Sequence, residues 1–428
     1  MRIQKKRLMS ILVAAIALTL LAVFVAVNLT TGEEKVEQKV ERLYGTRDAQ
    51  FMRAMGTLLG PPVAGGNRFR VLLNGDEIFP ALLGAIARAE RSISFETYIY
   101  WSGEIGRRFA DALAERARAG VKVHVLLDWV GSQKMDDALL EEMRGAGVEI
   151  HKYHRPRWSD LGRLNNRTHR KLLVVDGRIG FTGGVGIAPQ WTGHAQDPEH
   201  WRDTHFEVEG PAVAQMQSVF MDNWIKATGK VLHGPDYFPA IAAAGDGLAQ
   251  VFGSSPSGGS ESMQLMYLLS ITAAERSIRL SSSYFVPDEL ALHALVDALK
   301  RGVRLQIITP GPHIDTEVVR QASRARWGPL LAAGAEIHEY QPTMFHCKVL
   351  VVDEFLVSAG STNFDNRSFR VNDEANLNLY DARFAQQQAA IFDADLQRSR
   401  RITYEEWQRR PLRERVAERL SSLIGWQL

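Results

Sequence analysis

The amino-acid sequence predicts an α/β protein: two duplicated α/β sandwich halves sharing one catalytic unit about a pseudo-twofold axis, with a transmembrane helix in front. Three observations predict it. Apolar residues run from Leu8 to Leu29, broken only by Ser10, Thr19 and Asn28. The phrase Ala89-Glu90-Arg91-Ser92-Ile93 returns as Ala274-Glu275-Arg276-Ser277-Ile278. Each half then ends in one string, His-x-Lys-x4-Asp, at 169–176 and again at 346–353. A chain of 428 residues, 45% apolar and 23% charged, has material for a large core and no signature of disorder.

The apolar run is long enough to span a bilayer and longer than the apolar region of a cleaved signal peptide. Asn28-Leu29-Thr30-Thr31 offers no small-residue cleavage site, so an uncleaved anchor is expected. Arg2, Lys5, Lys6 and Arg7 precede it, whereas acids offset the bases that follow. The positive-inside rule then puts the N-terminus in the cytoplasm and the catalytic unit on the outer face. The expected organisation is a basic N-terminus over 1–7, an anchor over 8–29, a linker over 30–66, a first half over 67–240, a second half over 241–400 and a C-terminal helix over 401–428.

Within each half the repeated phrase leads into an alternating apolar run, Ile93–Tyr100 or Ile278–Phe285, that reads as a strand. A helix follows, over Arg107–Ala119 or Leu290–Arg301, ending at Gly120 or Gly302 in a left-handed cap. The next strand is Val121–Leu127 in one half and Val303–Ile308 in the other. A further helix closes each unit before Ala146-Gly147-Val148-Glu149-Ile150-His151-Lys152-Tyr153 and its partner Ala333-Gly334-Ala335-Glu336-Ile337-His338-Glu339-Tyr340. Strands alternating with helices predict largely parallel central strands. Between Tyr153 and His169 the first half carries an extra basic, aromatic loop with Arg155, Arg157, Trp158, Arg163 and Arg167.

On a strand, period-two alternation puts His169 with Lys171, and His346 with Lys348, on one face, where an imidazole and an ammonium can meet one phosphate. Two such strings predict a single two-histidine site for phosphodiester chemistry. The turns that follow are Gly183-Gly184-Val185-Gly186 and Gly360-Ser361-Thr362-Asn363, both offering close-approach backbone to an anion, with Ser361 and Asn363 as added donors. Asp203 follows the first histidine and Glu374 the second. A carboxylate accepting Nδ1–H would leave Nε2 free for chemistry, so these two acids are the candidate histidine-orienting groups. Asp176 and Asp353 complete the motifs and read as structural. The single cysteine, Cys347, excludes an intrachain disulfide and any four-cysteine zinc site.

These strings resemble the phospholipase D superfamily, whose signature is this duplicated His-Lys-Asp motif. From about Asn67 to Tyr380 the chain is most similar to bacterial cardiolipin synthases. The phrases that carry this are Gly103-Glu104-Ile105-Gly106, Trp201-Arg202-Asp203-Thr204-His205, Glu209-Gly210-Pro211-Ala212-Val213, Ser283-Tyr284-Phe285-Val286-Pro287-Asp288-Glu289 and Glu339-Tyr340-Gln341-Pro342. The resemblance implies a ping-pong reaction in which His169 attacks phosphorus and His346 protonates the departing alkoxide. Lys171, Lys348, Ser361 and Asn363 would hold the non-bridging oxygens. Two lysines near two histidines supply the positive charge for which other phosphodiesterases use divalent metal, so no metal and no cofactor is called for. The departure is Gly186, where family members commonly have Asn.

Three reactions fit the motifs: a phosphatidyl transferase making cardiolipin from two phosphatidylglycerols with glycerol leaving, a phospholipase D that hydrolyses a lipid headgroup, and a nuclease. The N-terminal anchor and the basic loop favour an anionic phospholipid, in a bacterial cell membrane, over nucleic acid. The net charge of +2 is too small to point to a polyanion. At the other end Val416, Leu420, Leu423, Ile424 and Trp426 lie at helical spacing among Arg413, Arg415 and Arg419. Such a helix either lies at the membrane interface or, as is commoner, packs its stripe on the core.

Overall fold

The computed structural model describes residues 2–29, 36, 38–155, 165–256 and 262–422. Arg2–Leu29 forms one helix, within which Lys6–Val25 is long and apolar enough to cross a membrane. The Ser10 and Thr19 hydroxyls donate to the carbonyls of Lys6 and Ala15 one turn back, so neither polar side chain interrupts the run.

The duplication is visible in the sheet. Fifteen strands join in one order that reads outward from the centre the same way through seven strands on each side, with one extra edge strand beyond the second half. At the centre Ala64–Leu73 meets Gly247–Ser254 through two pairings, Ala64 with Ala249 and Asn67 with Gly247, with a register shift between them. Outward lie the acid-bearing strands Thr204–Glu209 and Glu374–Tyr380, then Ile179–Gly183 and Leu356–Gly360, then the motif strands Leu172–Val175 and Lys348–Val352. Beyond them are Ser92–Thr97, Lys122–Asp128 and Glu149–Tyr153 on one side, and Ser277–Ser282, Arg304–Pro310 and Glu336–Tyr340 on the other.

Within this sheet, among the described residues, only these outer triplets pair in parallel. The motif strands and everything central to them run antiparallel, against the expectation of parallel central strands. Helices connect the outer strands and permit parallel pairing, whereas a tight turn after each motif strand forces a hairpin. At that turn Asp176 and Asp353 adopt φ of 54° and 53°, a region that aspartate tolerates better than most residues. Gly120 and Gly302, at φ of 89° and 91°, end their helices as expected.

One core fills the first half around Phe95, Phe109 and Leu113, and another fills the second around Leu280, Leu295 and Trp327. A third lies between the halves, where Leu172, Val174, Phe206 and Val208 meet Val349, Val351, Val357 and Leu377. The motif strands thus hold the halves together.

Two expected boundaries change. The segment 30–66 is not simply a linker: Ala49–Leu58 is a helix whose Phe51 and Met55 are fully buried in the second-half core. Nor is 401–428 one helix. Ile402 ends an edge strand, Ser399–Ile402, which pairs with Glu336–Tyr340; Tyr404–Gln408 and Leu412–Ser422 follow as separate helices. The last of these packs by its polar side, with Glu418 accepting from Arg324 and Arg410, while Leu412, Val416 and Leu420 are exposed. The ion pairs with buried Glu418 orient that face inward, so the apolar stripe does not pack on the core. Leu423, Ile424 and Trp426 lie outside the described residues.

Candidate active site

The motif histidines stand just ahead of their strands, which begin at Leu172 and Lys348, and not on them as strand alternation predicts. Each sits in an extended lead-in tied to the other half. The His169 amide donates to the Asp373 carbonyl at 2.8 Å, and the His346 amide to the Arg202 carbonyl at 2.7 Å. The next residue along each of those partners is the candidate acid. Accordingly His169 Nδ1 donates to Glu374, 3.0 Å from each carboxylate oxygen, and His346 Nδ1 donates to Asp203 at 2.7 Å. The acids that the sequence singles out are therefore both at the site, but crossed: each follows one histidine in the chain and orients the other.

Each lysine donates to the carbonyl of its own histidine, Lys171 at 2.7 Å and Lys348 at 2.8 Å. Beyond that they differ. Lys348 also donates to Ser283 Oγ and lies 3.3 Å from both ring nitrogens of His346. Lys171 instead stands 5.7 Å from the centre of the Tyr98 ring, which meets His169 edge-on.

The histidines open into one cavity of about 310 Å³. Its wall from the first half is aromatic and apolar, with Tyr98, Ile99, Trp101, Trp191 and Trp201. Its wall from the second half is polar, with Tyr284, Asp315, Asn363, Asp365 and Asn372. Arg167 and Arg367, one from each half, also line it. Of the extra basic loop, Arg157, Trp158 and Arg163 lie outside the described residues.

Burial dominates the electrostatics. Desolvation, with Lys171 and Lys348 adding to it against the pull of Glu374, pushes His169 down to about 4. Desolvation and Lys348 push His346 down to about 3. Burial lowers Lys171 to about 7 and lowers Lys348 as well. Burial pushes Asp203 and Glu374 up, but their histidines and the lysines outweigh it and hold both below the usual carboxylate range. The site is poised for an anion, because a phosphodiester between the lysines would restore the protonated state of the cations.

Residues 82–224 and 267–396 match the family described as cardiolipin synthase, PLD-like domain. The chain is 39% identical to a cardiolipin synthase of Geobacillus kaustophilus over 85% of its own length and 73% of the relative's. The chain belongs to this family. It is also 34% identical to cardiolipin synthase A of Pseudomonas fluorescens, over 92% of this chain and 81% of that one. A phosphatidylserine synthase of Haemophilus influenzae shares the fold, with a TM-score of 0.65 at 14% identity, over 89% of this chain and all of that one.

Of the residues that the sequence points to, some stand at the cavity and others behind it. Asp176 and Asp353 sit at the far end of the motif strands. Asp176 accepts from the amides of Glu90, Arg91 and Ser92, and Asp353 from those of Glu275, Arg276 and Ser277. The repeated Ala-Glu-Arg-Ser phrase is thus the socket for the motif aspartate, and neither acid is at the cavity. Ser361 is not free to hold phosphate either: its hydroxyl donates to Glu374 and accepts from the Ala375 amide. Asn363 does line the cavity, and its Oδ1 has no hydrogen-bond partner among the described residues.

The glycine turns approach protein, not an anion. A Cβ on Gly184 would lie 2.3 Å from Asp203 Oδ1, and one on Gly360 would lie 2.2 Å from the Ala375 carbonyl. Gly186 has a similar cause. A Cβ there would lie 2.8 Å from Ile99 Cβ and 3.1 Å from the Trp191 indole, whose Nε1 donates to Asp203. Trp191 occupies the space that an Asn at 186 would need and acts instead on the acid behind His346. Tyr98, Trp191, Asp315 and Arg367 escaped the sequence reading because they lie outside the motifs; their one shared signal is a place at or just beyond strand ends or in the connections between elements.

Proposed function

We propose that this protein makes cardiolipin by phosphatidyl transfer between two phosphatidylglycerol molecules, releasing glycerol, through a phosphohistidine. The observation that carries it is the crossed pair of carboxylate-bound imidazoles opening into one cavity with both lysines. The name shared by the relatives supports the lipid product.

In the first step His169 Nε2 attacks phosphorus and the P–O bond to glycerol breaks, while His346 gives its Nε2 proton to the glycerol oxygen. Asp203 holds the other ring proton of His346 and stabilises its cationic form without taking the proton. In the second step neutral His346 takes the proton from a hydroxyl of the second phosphatidylglycerol, whose oxygen attacks phosphorus and displaces His169. Lys171, Lys348 and Asn363 hold the non-bridging oxygens as charge develops on them, and Ser361 acts through Glu374. His169 is assigned as nucleophile by the family resemblance, since the two imidazoles are held alike. The N-terminal helix keeps the site where lipid is concentrated, with the basic end in the cytoplasm and the catalytic unit outside.

The test is to incubate the full-length protein with phosphatidylglycerol vesicles and follow the lipid products. Cardiolipin with equimolar glycerol is expected. Phosphatidic acid in its place would convert the assignment to a hydrolase, and neither product from protein that still cleaves a nitrophenyl phosphodiester would overturn both lipid readings.

A further inference from the structure

Tyr284 and Ile99 occupy the same position of the duplicated unit, each following the repeated Ser92 or Ser277 at the same distance, and both face the shared cavity. Where the first half offers Ile99 and then Trp101, capped by Lys134 at 3.8 Å from the indole centre, the second offers a phenol bound to a carboxylate. The Tyr284 hydroxyl donates to Asp315, at 2.9 and 2.8 Å from its two oxygens. Tyr284 also directly follows Ser283, the residue that accepts from Lys348, so the pair stands next to the reacting centre.

Asp315 is out of place in a cavity built for an anion. It makes no ion pair among the described residues, and its side chain is exposed at the rim. The other carboxylates near the histidines are already engaged. Asp203 and Glu374 hold the imidazoles, and Asp365 accepts from the Ser368 amide. A carboxylate facing the phosphate would repel it. The single Tyr284 hydrogen leaves Asp315 with acceptor sites to spare, since a carboxylate has about four. What such a carboxylate beside a phenol recognises is a hydroxyl donor, and an ionised acceptor makes the stronger hydrogen bond.

We infer that Tyr284 and Asp315 form a hydroxyl-recognition subsite that takes the glycerol headgroup of the lipid. Resting on the proposed phosphatidylglycerol chemistry, this deepens it. By microscopic reversibility the same subsite holds the glycerol that leaves in the first step and the headgroup that attacks in the second. Asp315 is then a specificity-determining residue: it makes the cavity select phosphodiesters whose alcohol carries a further hydroxyl.

The experiment compares two substrates on the full-length protein: phosphatidylglycerol vesicles, read as glycerol release, and a p-nitrophenyl phosphodiester, whose leaving group has no hydroxyl to spare. Asp315→Asn keeps an oxygen to accept from Tyr284 and so preserves the loop contact. It should lower the ratio of kcat/KM for glycerol release to that for nitrophenolate release by ~10-fold to ~100-fold, the range for losing a hydrogen bond to a charged group. Tyr284→Phe should lower the same ratio by less. A ratio within about twofold of the unmodified protein would overturn the subsite, whether both rates fall together, as a purely structural tie requires, or neither falls. Unmodified protein that releases nitrophenolate but no glycerol would overturn it too. Whether the phosphatidyl group ends in cardiolipin or phosphatidic acid judges the transferase reading separately and leaves the subsite standing.

Discussion

The two halves hold their histidines alike with parts taken from different places in the chain. Behind His169, the backbone of Glu374 is gripped by Arg170, which donates to its carbonyl at 3.1 Å, to Ser254 and Val219, and to Asp222 at 3.0 Å. Behind His346, the backbone of Asp203 is gripped by Arg202, which donates to its carbonyl at 2.6 Å and to both oxygens of Asp395 at 2.9 Å. Asp222 and Asp395 sit on equivalent helices, Ala212–Thr228 and Ala382–Gln397. The arginines are not equivalent. One follows the first motif histidine, where the second half has Cys347; the other precedes the first half's acid, where the second half has Asp373. Duplication has therefore kept the position of the charge and not the position of the residue, because a long side chain can reach one buried spot from either of the segments that lead into these strands.

The crossing of the acids gives the largest effect with which to break this comparison. Glu374→Gln and Asp203→Asn should each lower cardiolipin formation by ~10³-fold to ~10⁴-fold, as expected when an orienting carboxylate is lost. A nitrophenyl leaving group needs no proton, so with that substrate Asp203→Asn should recover most of its phosphohistidine formation and Glu374→Gln should not. The reverse pattern, read by rapid quench, would exchange the roles of the two histidines.

Stability separates the two arginine clamps next. Asp395 is 9% exposed and bound at both oxygens, whereas Asp222 is 42% exposed. Asp395→Ala should cost about 3–5 kcal/mol, the range for a broken buried pair, and Asp222→Ala about 1 kcal/mol or less, as for exposed pairs. Urea unfolding measures both, and equal losses would show that the clamps are not graded by burial.

Making the first half more like the second should fail. Gly186→Asn, which restores the commoner family residue, should lower stability by about 1–3 kcal/mol through overpacking against Ile99 and Trp191. Its melting temperature with and without Trp191→Ala sharpens the cause: the two costs should be less than additive, since the substitutions compete for one space.

The smallest effect is one of pH. Lys171 is lowered to about 7, so in the free protein it loses its charge as pH rises through that value. With phosphatidylglycerol, kcat/KM should fall on the alkaline side of about 7, the profile that reports free-enzyme groups. Lys171→Arg keeps its charge and should move that limb upward; an unmoved limb would assign it to another group.

The duplication, the N-terminal apolar helix and the motif histidines and lysines were legible in the sequence because they rest on periodicity and on short repeated phrases. The histidine-orienting acids were legible as residues, but their pairing was not: Asp203 and Glu374 cross because the halves pack about a pseudo-twofold axis, which linear order does not encode. Ser361 is legible as a hydroxyl donor, but that it spends its proton on Glu374, thirteen residues on, depends on the pairing of their two segments in the fold. Gly186 is legible as a departure from the family's Asn, but the Trp191 indole that fills the space beside it is brought there only by the fold. The sequence by itself determined the reaction class, through residue types whose chemistry is local to a motif. The tertiary structure alone decided which acid serves which histidine and which wall of the cavity is polar, since those depend on contacts between residues far apart in the chain.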